Sequence, residues 1–170
     1  MPRTPALEQT IIGSDNISIE VQIDRNDLVF LYRPARLSAA AQNFFVALNT
    51  GTEIGAAVLP FAKHAEGSTV FLPFNADVLL SAEVRGGGAT AFIRKWERWR
   101  WGDRNPTDAF GLREVNDGVV FRVQRQLLGT APTVQWVIYA KDPTANDGWG
   151  WFWGCSDRTV DGVMPVTPIP

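Results

Sequence analysis

Between Val78 and Trp101 the chain reads VLLSAEVRGGGATAFIRKWERWRW, two apolar runs joined by three consecutive glycines. Glycine reaches backbone angles that a Cβ forbids, so Gly86-Gly87-Gly88 between Val78–Val84 and Ala89–Lys95 predicts a β-hairpin. The second strand ends in Trp96, Trp99 and Trp101, interleaved with Arg94, Lys95, Arg98 and Arg100. A turn at Trp96-Glu97-Arg98 is expected to gather the three indoles, with a return strand starting at Trp99. A long two-stranded ribbon of this kind cannot bury its apolar face alone, and the rest of the chain has to supply more sheet.

The remaining sequence does so. Ile17, Ile19, Val21 and Ile23 alternate with polar residues, the period of a half-buried strand. Arg25-Asn26-Asp27 is turn chemistry, and Leu28–Tyr32 and Asn43–Leu48 read as apolar strands. Leu37–Gln42 is the best helical candidate, short and without a cap. Ala56–Pro60 and Thr69–Phe74 are strand-like, and Lys63–Ser68 and Asp103–Thr107 are loops, the latter because Asn105 precedes a proline. Val119, Phe121 and Val123 alternate again, and Leu127-Leu128-Gly129 predicts one helical turn stopped by glycine. Thr133–Ala140, TVQWVIYA, is β-branched and aromatic and is expected to be a central strand, with Val134, Trp136 and Ile138 on one face. Asn146-Asp147-Gly148 is a turn, after which Trp149, Trp151 and Trp153 fall on one face of any strand. PVTPIP at the end reads as a tail.

Short strands, turn signals about every ten residues and almost no helix predict an all-β fold, an antiparallel β-sandwich of jelly-roll or immunoglobulin-like type. A closed barrel is the alternative. One domain over 1–170 is expected, with its core at about 11–160 and a tail at 161–170. The formal net charge of -2 argues against nucleic acid as a partner. No apolar run reaches the roughly 18 residues of a membrane span, so no membrane partner is expected. The start, MPRTPALEQT, lacks a signal peptide's apolar core. An extracellular location is expected if the sequence is a piece of a longer exported protein, and a cytoplasmic one otherwise.

The succession of IEVQIDRNDLVFLYR, FFVALNTG, NADVLLSAEVRGGGATAFIRKWERWRW, NDGVVFRVQRQLLG and VQWVIYA resembles the DOMON-like β-sandwich superfamily. That superfamily includes family 9 carbohydrate-binding modules and the C-terminal domain of glucodextranase. The resemblance covers roughly residues 17–155 and implies a long hairpin ending in Trp beside a ligand-facing strand. It implies a non-catalytic carbohydrate-binding or accessory module, of the kind found attached to glycoside hydrolases. There are departures. Asn49-Thr50-Gly51-Thr52-Glu53 stands where relatives often carry an acidic pair that bears on calcium. GSDNIS lacks the Asp-Gly-to-Trp start of secreted relatives. His64 and Met164, the pair that haem ligation would need, fall in no recognisable ligand position.

Seven Trp in 170 residues is the compositional outlier. An indole is a flat, stiff partner for the C–H face of a sugar ring, and nearby polar side chains take its hydroxyls. The candidate ligand-binding residues are therefore Trp96, Trp99 and Trp101 with Arg94, Arg98, Arg100 and Asp103, and Trp149 with Trp151. The partner expected is a glycan or another protein domain. The competing reading is a structural or protein-interaction domain whose indoles pack the core. A glycan-active enzyme built on Glu83, Glu97 and Asp103 stands behind both. No catalytic residue, metal site or cofactor is expected: His64 is the single histidine, the lone Cys155 follows an apolar run, and no zinc spacing occurs.

Overall fold

The computed structural model describes residues 9–12, 18–33, 42–58, 71–85, 88–130, 132–141, 152–153 and 166–168. It is an antiparallel β-sandwich. One sheet is built from β1 (Gln9–Ile12), β2 (Ser18–Asp24), β3 (Asp27–Arg33), β12 (Gly118–Val123) and β11 (Phe110–Val115), in that spatial order. The other runs β10 (Asn105–Pro106), β8 (Gly88–Glu97), β7 (Val78–Arg85), β4 (Gln42–Asn49), β13 (Thr133–Lys141) and β14 (Phe152–Trp153). Two further short strands border it, β9 (Arg100–Trp101) on β8 and β15 (Val166–Pro168) on β13. A small ribbon of β5 (Ala56–Val58) and β6 (Phe71–Ala76) joins neither sheet's ladder and packs on the outer side of the second sheet.

Alternation explains the core. Ile19, Val21 and Ile23 of β2 and Leu28, Phe30 and Tyr32 of β3 point inward with Val119, Phe121 and Val123 of β12. They meet Phe44, Val46 and Leu48 of β4, Leu80 and Ala82 of β7, and Val134, Trp136 and Ile138 of β13. Aromatic rings join the two sheets edge to face: Phe30 with Trp136 at 5.0 Å between centroids, and Phe44 with Phe121 at 5.3 Å.

The second sheet is apolar on its outer side too. Phe45, Ala47, Leu79 and Val137 face away from the sandwich and are covered by Leu72, Phe74 and Ala76 of β6. A strand buried on both faces needs an unbroken apolar run rather than alternation. That is why β4 reads Phe44-Phe45-Val46-Ala47-Leu48 while β2 reads Ile19-Glu20-Val21-Gln22-Ile23.

The structure departs from the sequence reading at several points. The turn after β8 is not Trp96-Glu97-Arg98: Trp96 pairs with Trp101 and Glu97 with Arg100, so Arg98 and Trp99 form the two-residue turn. Asn105–Pro106 pairs with Ile93 and Phe92, a short edge bridge in which proline's missing N–H does no harm. Phe110–Val115 is an edge strand, unforeseen because glycine, arginine and glutamate dilute its β-propensity. Val166–Pro168, read as tail, pairs with Gln135, Val134 and Thr133. Of the helical candidate, Gln42 opens β4 and the remainder lies outside the described residues. Among the described residues the helix is confined to one 3₁₀ turn, Arg125–Leu127.

Candidate functional site

The end of the sandwich where β4, β8 and β12 finish and β7 begins carries the predicted hairpin tip. In the two-residue turn, Arg98 has φ 50° and Trp99 φ 68°. A turn with both central residues at positive φ is the type that suits twisted strands, and it normally takes Asn-Gly. Here it holds two bulky residues. A Cβ in the left-handed region costs roughly 1–2 kcal/mol per residue, so this turn is strained by its own sequence. The result is an indole at the tip, Trp99, with 79% of its surface exposed.

The other two indoles of the hairpin are placed differently. Trp96 and Trp101 lie half-buried against each other, centroids 5.7 Å apart and planes at 85°. The Trp101 indole N–H donates to the Val58 carbonyl at 2.8 Å, and its ring packs on the outer apolar cluster. Trp101 thus ties β5 to the hairpin. Arg94 is half-buried, and its Nη1 donates to the Gly102 carbonyl at 3.1 Å. Arg98 and Arg100 are exposed and have no side-chain partner among the described residues. Asp103 is exposed, and its main-chain carbonyl accepts from Asn105 Nδ2 at 3.3 Å. Trp149 and Trp151 lie outside the described residues, as do His64, Cys155 and Met164. Of that stretch only the backbone of Phe152–Trp153 is placed, opposite Tyr139 and Ile138.

Next to the hairpin is a cavity of about 260 Å³. Lys95, Trp96 and Glu97 form one wall, and Gln126, Leu127 and Gly129 after β12 form another. Thr50, Thr52 and Glu53 after β4 close it, over a floor of Asp77 and Val78. Sequence reasoning passed over Asp77 and Gln126, and named Thr50 only within the Asn49–Glu53 segment. No local pattern marks them, because three loops far apart in sequence meet only in the fold.

Asp77 is the key to this end. Its side chain is 2% exposed, and four donors converge on it. Thr50 N–H reaches Oδ1 at 2.8 Å; Thr50 Oγ1, Thr52 N–H and Glu53 N–H reach Oδ2 at 2.7, 3.0 and 3.2 Å. A buried carboxylate needs this degree of satisfaction, and here it fixes the Thr50–Glu53 loop. The fourth side of the loop is set by Gly129, at φ 65°, where a Cβ would lie 2.8 Å from Thr52 Oγ1. Arg125 Nη1 donates to the Gly129 carbonyl at 2.6 Å, and Arg125 N–H to Asp27 Oδ1 at 3.0 Å.

With Asp77 consumed and the Thr52 hydroxyl bonded to Thr50 Oγ1 at 2.9 Å, the groups facing the cavity with open hydrogen-bonding capacity are Glu53, Lys95, Glu97, Gln126 Oε1 and, as an acceptor, Thr52 Oγ1. These are one strong donor and several acceptors beside an aromatic edge, which suits a ligand rich in hydroxyl donors. Among the described residues no three His, Cys, Asp or Glu side chains are grouped to hold a metal ion.

A second cavity, about 240 Å³, lies on the outer face of the five-stranded sheet. Here Arg33 is bound to Glu20 at 2.6 Å and Asp117 at 3.0 Å, and Arg122 to Asp24 at 2.6 Å and Asp27 at 3.1 Å. The hydrogen bonds that Arg33 donates to Glu20, and Arg122 to Asp24, hold both guanidinium groups above the ordinary arginine range.

No protein-family model, no curated protein and no solved structure matches this chain.

Proposed function

We propose that the protein is a non-catalytic carbohydrate-binding module of DOMON-like type, holding a sugar chain at the β8–β9 hairpin. The observation that carries this reading is Trp99: an indole almost wholly in solvent, in a backbone conformation that favours glycine. A fold loses stability by keeping a bulky residue there; the β2–β3 turn at Arg25-Asn26 has the same backbone, and what sets the Arg98-Trp99 turn apart is the large indole it holds in solvent. The flat indole face stacks on the C–H face of a pyranose and gives up little side-chain freedom in doing so. Arg98 and Arg100 flank it, and the same hairpin arm lines the adjacent cavity with Lys95 and Glu97, which take hydroxyls of the next ring.

A second reading is docking to another protein domain. It is favoured by Ile54, 61% exposed, and Val58, which with Trp99 make up the exposed large hydrophobic residues among those described. Val58 is bonded to Trp101, so it neighbours the hairpin base.

The two are separated by affinity electrophoresis through gels containing soluble xylan, β-glucan, pullulan or mannan, supported by a glycan array. The parent protein is expected to be retarded by at least one polymer. Trp99→Ala is expected to lose that retardation, about tenfold or more in affinity, the loss typical of removing an anchoring aromatic, while melting no earlier than the parent. If no glycan binds, or Trp99→Ala binds like the parent, the carbohydrate reading fails.

A further inference from the structure

We infer that the outer face of the five-stranded sheet is a second sugar-binding surface, taking an uncharged oligosaccharide laid across β2, β3, β12 and β11. This rests on the carbohydrate reading above but uses none of the hairpin's residues. The register puts two rows of side chains side by side on this face. Glu20, Leu31, Val120 and Arg113 make one row, and Gln22, Val29, Arg122 and Gly111 the next. Neighbouring strands lie about 4.8 Å apart, so each row runs about 14 Å across the four strands.

The chemistry of the rows is specific. Leu31 and Val120, both half-buried, form a short aliphatic strip in the cavity, with Val29 buried beside them. Both arginines within the network are held by carboxylates, Arg122 by Asp24 and Asp27 and Arg33 by Glu20 and Asp117, which leaves this face no free cation in the network and a slight excess of negative charge. A polyanion such as nucleic acid would meet four carboxylates here, which excludes it. What the face offers is fixed hydrogen-bonding capacity. Glu20 is anchored through Oε1 and keeps Oε2 as an acceptor. Among the described residues the Gln22 amide and the Arg113 guanidinium have no side-chain partner, and both line the cavity. Acceptors and donors at the two ends of an aliphatic strip match a ligand that alternates C–H faces with hydroxyls.

Gly111 lies on the edge strand next to this cavity. It stands opposite Arg122, and a Cβ built on it meets nothing within 4 Å. A large side chain there would stand beside Arg122 at the rim of the cavity, without a clash against the fold.

The test compares the full-length parent with Gly111→Phe, with the double variant Gln22→Ala/Arg113→Ala, and with Trp99→Ala. Each is titrated calorimetrically with cellohexaose, xylohexaose and maltohexaose, and ¹⁵N–¹H spectra of the parent follow the amides of Gly111 and Arg122. For a sugar that binds, the parent is expected to show two sites, with the Gly111 and Arg122 amides shifting. Gly111→Phe and the double variant are each expected to retain one site and weaken the other at least tenfold. Trp99→Ala is expected to lose the opposite site. Affinity at the sheet face should change less than twofold between 50 and 500 mM NaCl, since the sugar carries no charge to screen. If both face variants bind like the parent and the two amides do not move, this inference is overturned and the hairpin reading is untouched. If Trp99→Ala binds like the parent while the face variants lose binding, the hairpin reading falls and the sheet face stands. No heat and no shifts with any hexasaccharide overturns both.

Discussion

Trp96 and Trp101 face each other directly across the β8–β9 ladder, ring centroids 5.7 Å apart, and the residue the hairpin gives to solvent is Trp99. The three indoles therefore divide into a structural pair and an exposed one. Trp101 carries the indole N–H bond to the Val58 carbonyl and part of the packing over Phe45 and Leu79. Trp101→Ala is expected to cost about 2 kcal/mol, less than a fully buried aromatic because the residue is only half-buried. Trp99→Ala should leave stability unchanged or slightly higher. Urea denaturation of the two variants beside the parent checks both, and a Trp99→Ala loss as large as that of Trp101→Ala would show that the tip indole packs.

Trp136 measures the sandwich itself. It is fully buried at the centre of β13, with Leu48 opposite it on β4 and Phe30 of the other sheet edge-on at 5.0 Å. Trp136→Ala is expected to cost about 3–5 kcal/mol, the range for deleting a buried aromatic. The midpoint of denaturant unfolding reads this out, with the slope unchanged if the variant still unfolds in one step.

The fold was legible because burial writes itself into periodicity. Ile19, Val21 and Ile23 alternate because one side of β2 meets water, and Phe44 to Leu48 do not because β6 covers the far side of β4. The hairpin tip was misplaced by two residues because Arg98-Trp99 carries none of the chemistry its turn geometry demands. The chain's own signal there was the opposite of a turn. β11 and β15 were missed for a related reason: edge strands pair on one side only, so Gly111 and Pro168 are tolerated where a central strand would reject them. The cavity was illegible. Asp77, Thr50 and Gln126 come from three separate loops, and nothing in NADVLL distinguishes a surface aspartate from one that binds four donors.

Asp77 should be the most sensitive polar residue of the described fold. Asp77→Ala would leave two loop N–H groups and the Thr50 hydroxyl and N–H without their acceptor in a nearly closed site. Hydrogen bonds to charged groups are worth about 1.5–3 kcal/mol each and do not add, so a total loss of about 3–5 kcal/mol is expected. Asp77→Asn keeps one acceptor oxygen but turns an amide N–H₂ towards other donors, and it should recover less than half of that. Thermal unfolding ranks the three proteins. Hydrogen exchange adds a second check, since the Thr50, Thr52 and Glu53 amides should lose protection before the core strands do.

The sharpest prediction concerns the turn, because stability and binding should move in opposite directions there. Arg98 and Trp99 sit at φ 50° and 68°, angles that Asn and Gly adopt with little or no strain. Replacing them together, Arg98→Asn with Trp99→Gly, relieves strain of roughly 1–2 kcal/mol per residue, offset by the added freedom of glycine in the unfolded chain. The double variant is therefore expected to be more stable by about 1 kcal/mol, raising the melting temperature by a few degrees. Retardation by glycan in affinity gels should vanish at the same time, since the indole is gone while Lys95, Glu97 and the Asp77-anchored loop are left in place. A variant that is both more stable and still bound would mean that Trp99 is not the anchor. A variant that is less stable would mean that the indole at the tip is held by the fold rather than held out from it.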